Sequence, residues 1–83
     1  LKVLFFASVR ERLGCAEMEV SADPGEMTTE SLREALISRG GETWQEVLGQ
    51  PNLVCAVNQT VVSDAAPLAC DDEVAFFPPV TGG

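Results

Sequence analysis

One long helix-like segment, Thr28 to Arg39, divides a chain whose other apolar residues fall mostly into short strand-like runs, and that arrangement leaves few folds open. Leu32, Ala35 and Leu36 recur at i, i+3 and i+4, a single apolar stripe to lay across a sheet. Thr28 or Thr29 opens the segment; Glu30 in the first turn and Arg39 in the last match the helix dipole, and Gly40-Gly41 supplies the stop. Glu42 to Leu48 reads as a short second helix ended by Gly49 and Pro51, with Trp44 expected as a plug for the core. Ahead of the helices, Lys2 to Ala7 is dense in Val, Leu and Phe, as a central strand should be. Ser8 to Gly14 is charged and reads as a turn or loop. Glu17 to Val20 alternates polar with apolar, the period of a half-buried strand, close enough to the first for a hairpin. Ala22-Asp23-Pro24-Gly25 is a strong breaker.

Beyond the helices, Leu53 to Val57 and Thr60 to Val62 flank Asn58-Gln59, a two-residue turn. Ser63 to Cys70 reads as a connecting loop, and Asp71-Asp72 leads into a last strand, Glu73 to Phe77. Strand, strand, helix, short helix and three more strands imply an α+β domain, a mixed sheet of about five strands with the main helix on one face. The helix-bearing crossover joins the second and third strands, as a parallel pairing needs. Eighty-three residues make one domain with a small core. Residues 1–79 are expected to form its body and 80–83 a tail.

Several chemistries drop out on composition. Thirteen acidic residues against five basic ones give a net charge of −8, which speaks against nucleic acid and favours a basic patch on a protein partner, or plain solubility. No histidine is present, so a self-contained acid–base catalyst would rest on carboxylates, a thiol or the one lysine, Lys2. Cys15, Cys55 and Cys70 are odd in number and lack C-x-x-C spacing, so neither a disulfide framework nor zinc is indicated. Cys55 is expected in the core, with Cys15 and Cys70 beside turns. Asp71, Asp72 and Glu73 lack a partner cluster and read as a solvated turn, with no metal. The apolar run at the N-terminus is too short for a signal peptide, and Arg10-Glu11-Arg12 stands where a cleavage site would be. No stretch is long enough to span a membrane, and free thiols fit a reducing cytoplasm best, so a cytoplasmic protein is expected.

Phe5-Phe6 and Phe76-Phe77 are adjacent pairs in strands, so one member of each must leave the helix-covered face. If Val3, Phe5, Val74 and Phe76 face the helix, Phe6 and Phe77 stand on the other side, where Val61 can join them. Docking of a partner there is one reading; the other is that both faces are covered or that these are twisted edge residues. After Phe77 come Pro78 and Pro79, which hold the chain extended, and then Val80-Thr81-Gly82-Gly83. Four extended residues would carry the terminal carboxylate ~13 Å past Pro79, with no Cβ on the last two. Such an end is either a thin probe for another protein's active site or a frayed terminus.

Val3-Leu4-Phe5-Phe6-Ala7 with Val9-Arg10-Glu11, then Ala56-Val57-Asn58-Gln59, Pro67-Leu68, Asp72-Glu73-Val74 and Phe76 to Gly83 closely resemble the family of small, sulfur-carrier subunits of molybdopterin synthase. The resemblance spans nearly the whole chain, is densest at its two ends, and between Cys15 and Asn52 holds only in pattern. It implies a ubiquitin-like β-grasp fold. It also implies that an E1-like activating enzyme adenylates Gly83 with ATP, that sulfur replaces AMP, and that a terminal thiocarboxylate results. Val80, Thr81 and Gly82 would thread that sulfur into the large subunit of a heterotetramer to build the molybdopterin dithiolene. The sulfur would come through a sulfurtransferase, and no cofactor would be bound permanently. The chain would be the sulfur-donating, non-catalytic subunit. A carrier of the same fold serving thiamine or tRNA thiolation, and a ubiquitin-like protein tag, are the alternatives.

Overall fold

In the computed structural model, residues 1–21, 27–50, 53–62 and 65–78 are described. Five strands, β1 (Lys2–Phe5), β2 (Glu17–Glu19), β3 (Val54–Val57), β4 (Thr60–Val62) and β5 (Glu73–Phe77), form one sheet in the order β2-β1-β5-β3-β4. Only β1 and β5 run parallel; the other three pairings are antiparallel. Three helices, α1 (Ala7–Leu13), α2 (Thr29–Gly40) and α3 (Glu42–Leu48), complete the described elements. The helical crossover does not set β2 beside β3 as expected. Those strands lie on opposite sides of the central pair, and the parallel partners are the first and last strands of the chain. A strand inserted last can join β1 to β3 only by taking the middle of the sheet.

The loop expected over Ser8 to Gly14 is instead α1. Val9 is buried and Leu13, one turn on, packs against the core, so a seven-residue helix is held by one apolar pair. Gly14 ends it in the left-handed region (φ 67°), its N–H donating to the Arg10 carbonyl. β1 and β2 therefore pair antiparallel, but through a helix and not a tight hairpin turn. The expected strand through Ala7 stops at Phe5. Phe6 remains extended, its N–H donating to the Phe76 carbonyl at 3.2 Å, and Ala7 at φ 53° turns the chain out of the sheet.

Alternation assigns the two faces. Val3, Phe5, Val74, Phe76 and Cys55 point to the helices and are buried with Leu32, Leu36, Val47 and Leu48. Phe5 and Phe76 are register partners whose rings stack at 6.1 Å, and Trp44 meets Phe5 edge-on at 5.5 Å. Trp44 is thus half-buried against the core, the plug its sequence position suggests. Thr28 caps α2 by accepting from the Ser31 N–H at 3.2 Å, while Ser31 Oγ accepts from the Thr28 N–H at 2.9 Å.

Trp44 lies directly over Gly40, where an added Cβ would overlap its ring. Gly40→Ala gains helix propensity but has to displace the indole, so a net loss of about 1–2 kcal/mol is expected. Chemical denaturation measures the loss, and Trp44 fluorescence should shift with it; an equal or higher midpoint would show that the indole gives way freely.

Candidate functional site

The sheet face away from the helices carries no covering element among the described residues, and its centre is apolar. Leu4 and Phe6 at the end of β1, Ala75 and Phe77 on β5, Ala56 on β3 and Val61 on β4 line a groove of about 260 Å³, with Gln59 and Glu73 at its margin. The register accounts for it: Leu4 lies opposite Ala75, Ala75 opposite Ala56, and Ala56 opposite Val61. The small side chains of Ala56 and Ala75 make the floor, and the larger ones make the walls. Phe6 is 46% exposed and Val61 65%, the large hydrophobic residues standing furthest into solvent among those described. Phe77 is half-buried on the same side.

All three residues expected at a docking surface are therefore brought together. Leu4, Ala56 and Ala75 were not anticipated there. The signal for them is the period of two, since Leu4 stands two residues before Phe6 and Ala75 two before Phe77. The asparagine and glutamine of the β3–β4 turn both take positive φ, 50° and 69°, the geometry of a two-residue hairpin turn, and this places Gln59 at the groove's edge. Val80, Thr81, Gly82 and Gly83 lie outside the described residues. Phe77 and Pro78 are the last described positions before them, so the strand that feeds the tail also forms a wall of the groove.

The acidic run before β5 proves to be more than a solvated turn. Asp72 Oδ2 accepts from the Ala69 N–H at 2.8 Å and Oδ1 from Asn58 Nδ2 at 2.9 Å, while Asn58 Oδ1 accepts from the Glu73 N–H at 3.1 Å. The clamp ties the β3–β4 turn to the start of β5. The bond from Ala69, and next the bond from Asn58, hold the Asp72 carboxyl below its ordinary pKa. A depressed carboxyl stabilises the fold above its unfolded pKa, near ~3.9, and that stabilisation disappears as pH falls through the folded value. Asp72→Asn should therefore melt lower than the wild type near neutrality, and the two curves should converge in acid. Melting temperature against pH tests this; a gap unchanged down to about pH 2 would remove the carboxylate from the explanation.

No three His, Cys, Asp or Glu side chains among the described residues converge as metal ligands. Cys55 is buried, Cys15 half-buried and Cys70 exposed, and none is in a disulfide. No helix among the described residues is long and apolar enough to cross a membrane.

A mixed five-stranded sheet with its first and last strands parallel at the centre, and a helix across one face, is the ubiquitin-like β-grasp. SAMP1 from Haloferax volcanii shares it, with a TM-score of 0.76 at 24% identity over 99% of this chain and 97% of that one. The chain belongs to the ThiS family, whose model matches residues 3–83. It is 51% identical over 83 residues to the molybdopterin synthase sulfur carrier subunit of Escherichia coli (strain K12), covering 100% of this chain and 99% of the relative. It is also similar to a chain in the solved protein–protein complex of subunits 1 and 2 of molybdopterin-converting factor from Helicobacter pylori 26695. There the TM-score is 0.67 and the identity 25%, over 99% of this chain and 96% of that one.

Proposed function

We propose that this chain is the sulfur carrier subunit of a molybdopterin synthase and that it docks on the large subunit through the groove. The observation that carries the reading is that β5 supplies both Phe77 to the groove and the chain that runs on to Gly-Gly. Full-length similarity to a carrier subunit, and to a chain solved in a two-subunit complex, supports the same assignment. Phe6, Val61 and Phe77 are the anchors, and an aromatic pair over an alanine floor suits an apolar ridge on the partner.

The chemistry then belongs to the terminus. A carboxylate is a poor electrophile. Adenylation of Gly83 with ATP, by an E1-like partner, releases pyrophosphate and makes a mixed anhydride; sulfide-level sulfur delivered by the donor attacks its acyl carbon, and AMP leaves. The resulting thiocarboxylate is anionic and nucleophilic near neutral pH, much as a thiolate is. Val80, Thr81 and Gly82 deliver it to the pterin precursor, where the large subunit supplies binding and acid–base groups; the carrier supplies proximity. Two such transfers complete the dithiolene. The cytoplasm is the compartment proposed for the cycle, since it supplies ATP and a reducing setting for the sulfur.

Intact mass tests the proposal. After incubation with ATP, the activating enzyme and a sulfur donor, a species ~16 Da heavier is expected, sulfur having replaced one oxygen. Adducts on lysines of other proteins, without that species, would instead make the chain a protein tag.

A further inference from the structure

Lys2 is the one lysine in the sequence, and so the one side-chain amine that an acyl donor could capture. It stands on β1, flanked by β2 and β5, and the register sets a glutamate opposite it on each side: Glu19 across the antiparallel pair and Glu73 across the parallel one. Glu17, two residues from Glu19 on the same face of β2, closes the contact, with Lys2 Nζ 3.1 Å from Glu17 Oε2. Glu17 is the principal partner of Lys2, the closest in space and the first cause of its raised pKa. An exposed ion pair contributes little to stability, so the pairing of Lys2 with Glu17 adds little to the fold.

We infer that Glu17, Glu19 and Glu73 mask the Lys2 amine as an acyl acceptor, so that the activated terminus of one carrier is not captured by another. The inference rests on the proposed activation of Gly83. An acyl adenylate is attacked by the lone pair of a neutral amine; the C–N bond forms, the C–O bond to AMP breaks, and the amine proton passes to solvent. An ammonium has no lone pair to offer. The hydrogen bond with Glu17, followed by the negative charge of Glu17 and the two further glutamates, raises the Lys2 pKa above its ordinary value. The paired amine is also restrained, its Nζ held 3.1 Å from Glu17 Oε2. Protonation and contact thus act in the same direction: the contact is made by Glu17, and the surrounding negative charge comes from all three glutamates.

An acylating reagent that needs no activating enzyme separates this inference from the fate of Gly83. The purified chain is treated with the N-hydroxysuccinimide ester of acetic acid at about pH 8, and acetylation at Lys2 is followed by mass spectrometry of the peptide that contains it. Glu17→Gln should react about two- to five-fold faster than the wild type, in keeping with an exposed ion pair, and the combined Gln substitution of Glu17, Glu19 and Glu73 faster still. Glu34→Gln, exposed on α2, removes the same charge elsewhere and should leave the rate unchanged. Glu17 is an exposed edge-strand residue, so its single variant tests the inference even where the triple variant does not fold. Equal rates for the wild type and Glu17→Gln overturn the masking, as does an equal acceleration in Glu34→Gln.

Discussion

Removal of Gly83 is expected to abolish sulfur transfer and to leave the melting temperature where it was. The reacting atom in the proposed cycle is the terminal acyl carbon, and one residue of extended chain is worth roughly 3.3–3.6 Å. A carrier ending at Gly82 would bring its carboxylate that much short of both the adenylating site and the pterin. Near-attack geometry tolerates little of this, since a misplacement of about 1 Å already costs on the order of a hundredfold. Stability has a different source. Val3, Phe5, Leu32, Leu36, Val74 and Phe76 reach almost complete burial, and all of them precede Pro78. Transfer is read as dithiolene formation with the large subunit, and stability by thermal melting of the free chain. A truncated carrier that still transfers sulfur would sink the assignment of Gly83. A truncated carrier that melts several degrees lower would mean that the terminus also serves the fold.

Much of this architecture is legible in the sequence where local pattern and tertiary demand agree. Glu42–Leu48, Thr60–Val62 and Glu73–Phe77 fall where turn residues and periodicity put them. The placement of Phe6 and Phe77 on one face follows from nothing more than the two-residue period applied to adjacent aromatics. Where a contact spans the chain, the pattern is silent. The pairing of β1 with β5 joins residues some seventy positions apart, and no local signal distinguishes it from the β2–β3 pairing that the helical crossover invites. Asp72 meets Asn58 across fourteen positions, so its acidic neighbourhood reads as a solvated turn until the turn between β3 and β4 is folded against it. α1 is hidden for another reason. Seven residues with four polar or charged side chains near a single Val9–Leu13 pair look like a loop, because the helix is stabilised by the core beneath it and hardly by its own propensity. The groove floor is hidden because alanine carries a weak pattern signal, although Ala56 and Ala75 decide how deep the groove is.

Substitution of the groove walls should separate binding from folding. Phe77→Ala removes a ring that borders the groove from β5, and truncation of a central aromatic anchor commonly costs 2 kcal/mol or more, about thirtyfold in the dissociation constant. Phe6→Asp should cost more, because docking would bury a carboxylate against apolar side chains with no counter-charge among the described groove residues. Neither side chain belongs to the buried core: Phe6 is 46% exposed and Phe77 lies on the face away from the helices. The free chain should therefore melt close to the wild type. Phe76→Ala supplies the contrast. Its ring is 1% exposed and stacked on Phe5, so about 3–5 kcal/mol of stability should be lost, a large part of what a domain this small possesses. Calorimetric titration against the large subunit, with melting of each free variant, resolves the two effects. Unchanged affinity in both Phe77→Ala and Phe6→Asp would free the groove from any part in docking. Affinity lost only in proportion to stability would make these aromatics structural, because a docking surface has to weaken the complex while leaving its own domain folded.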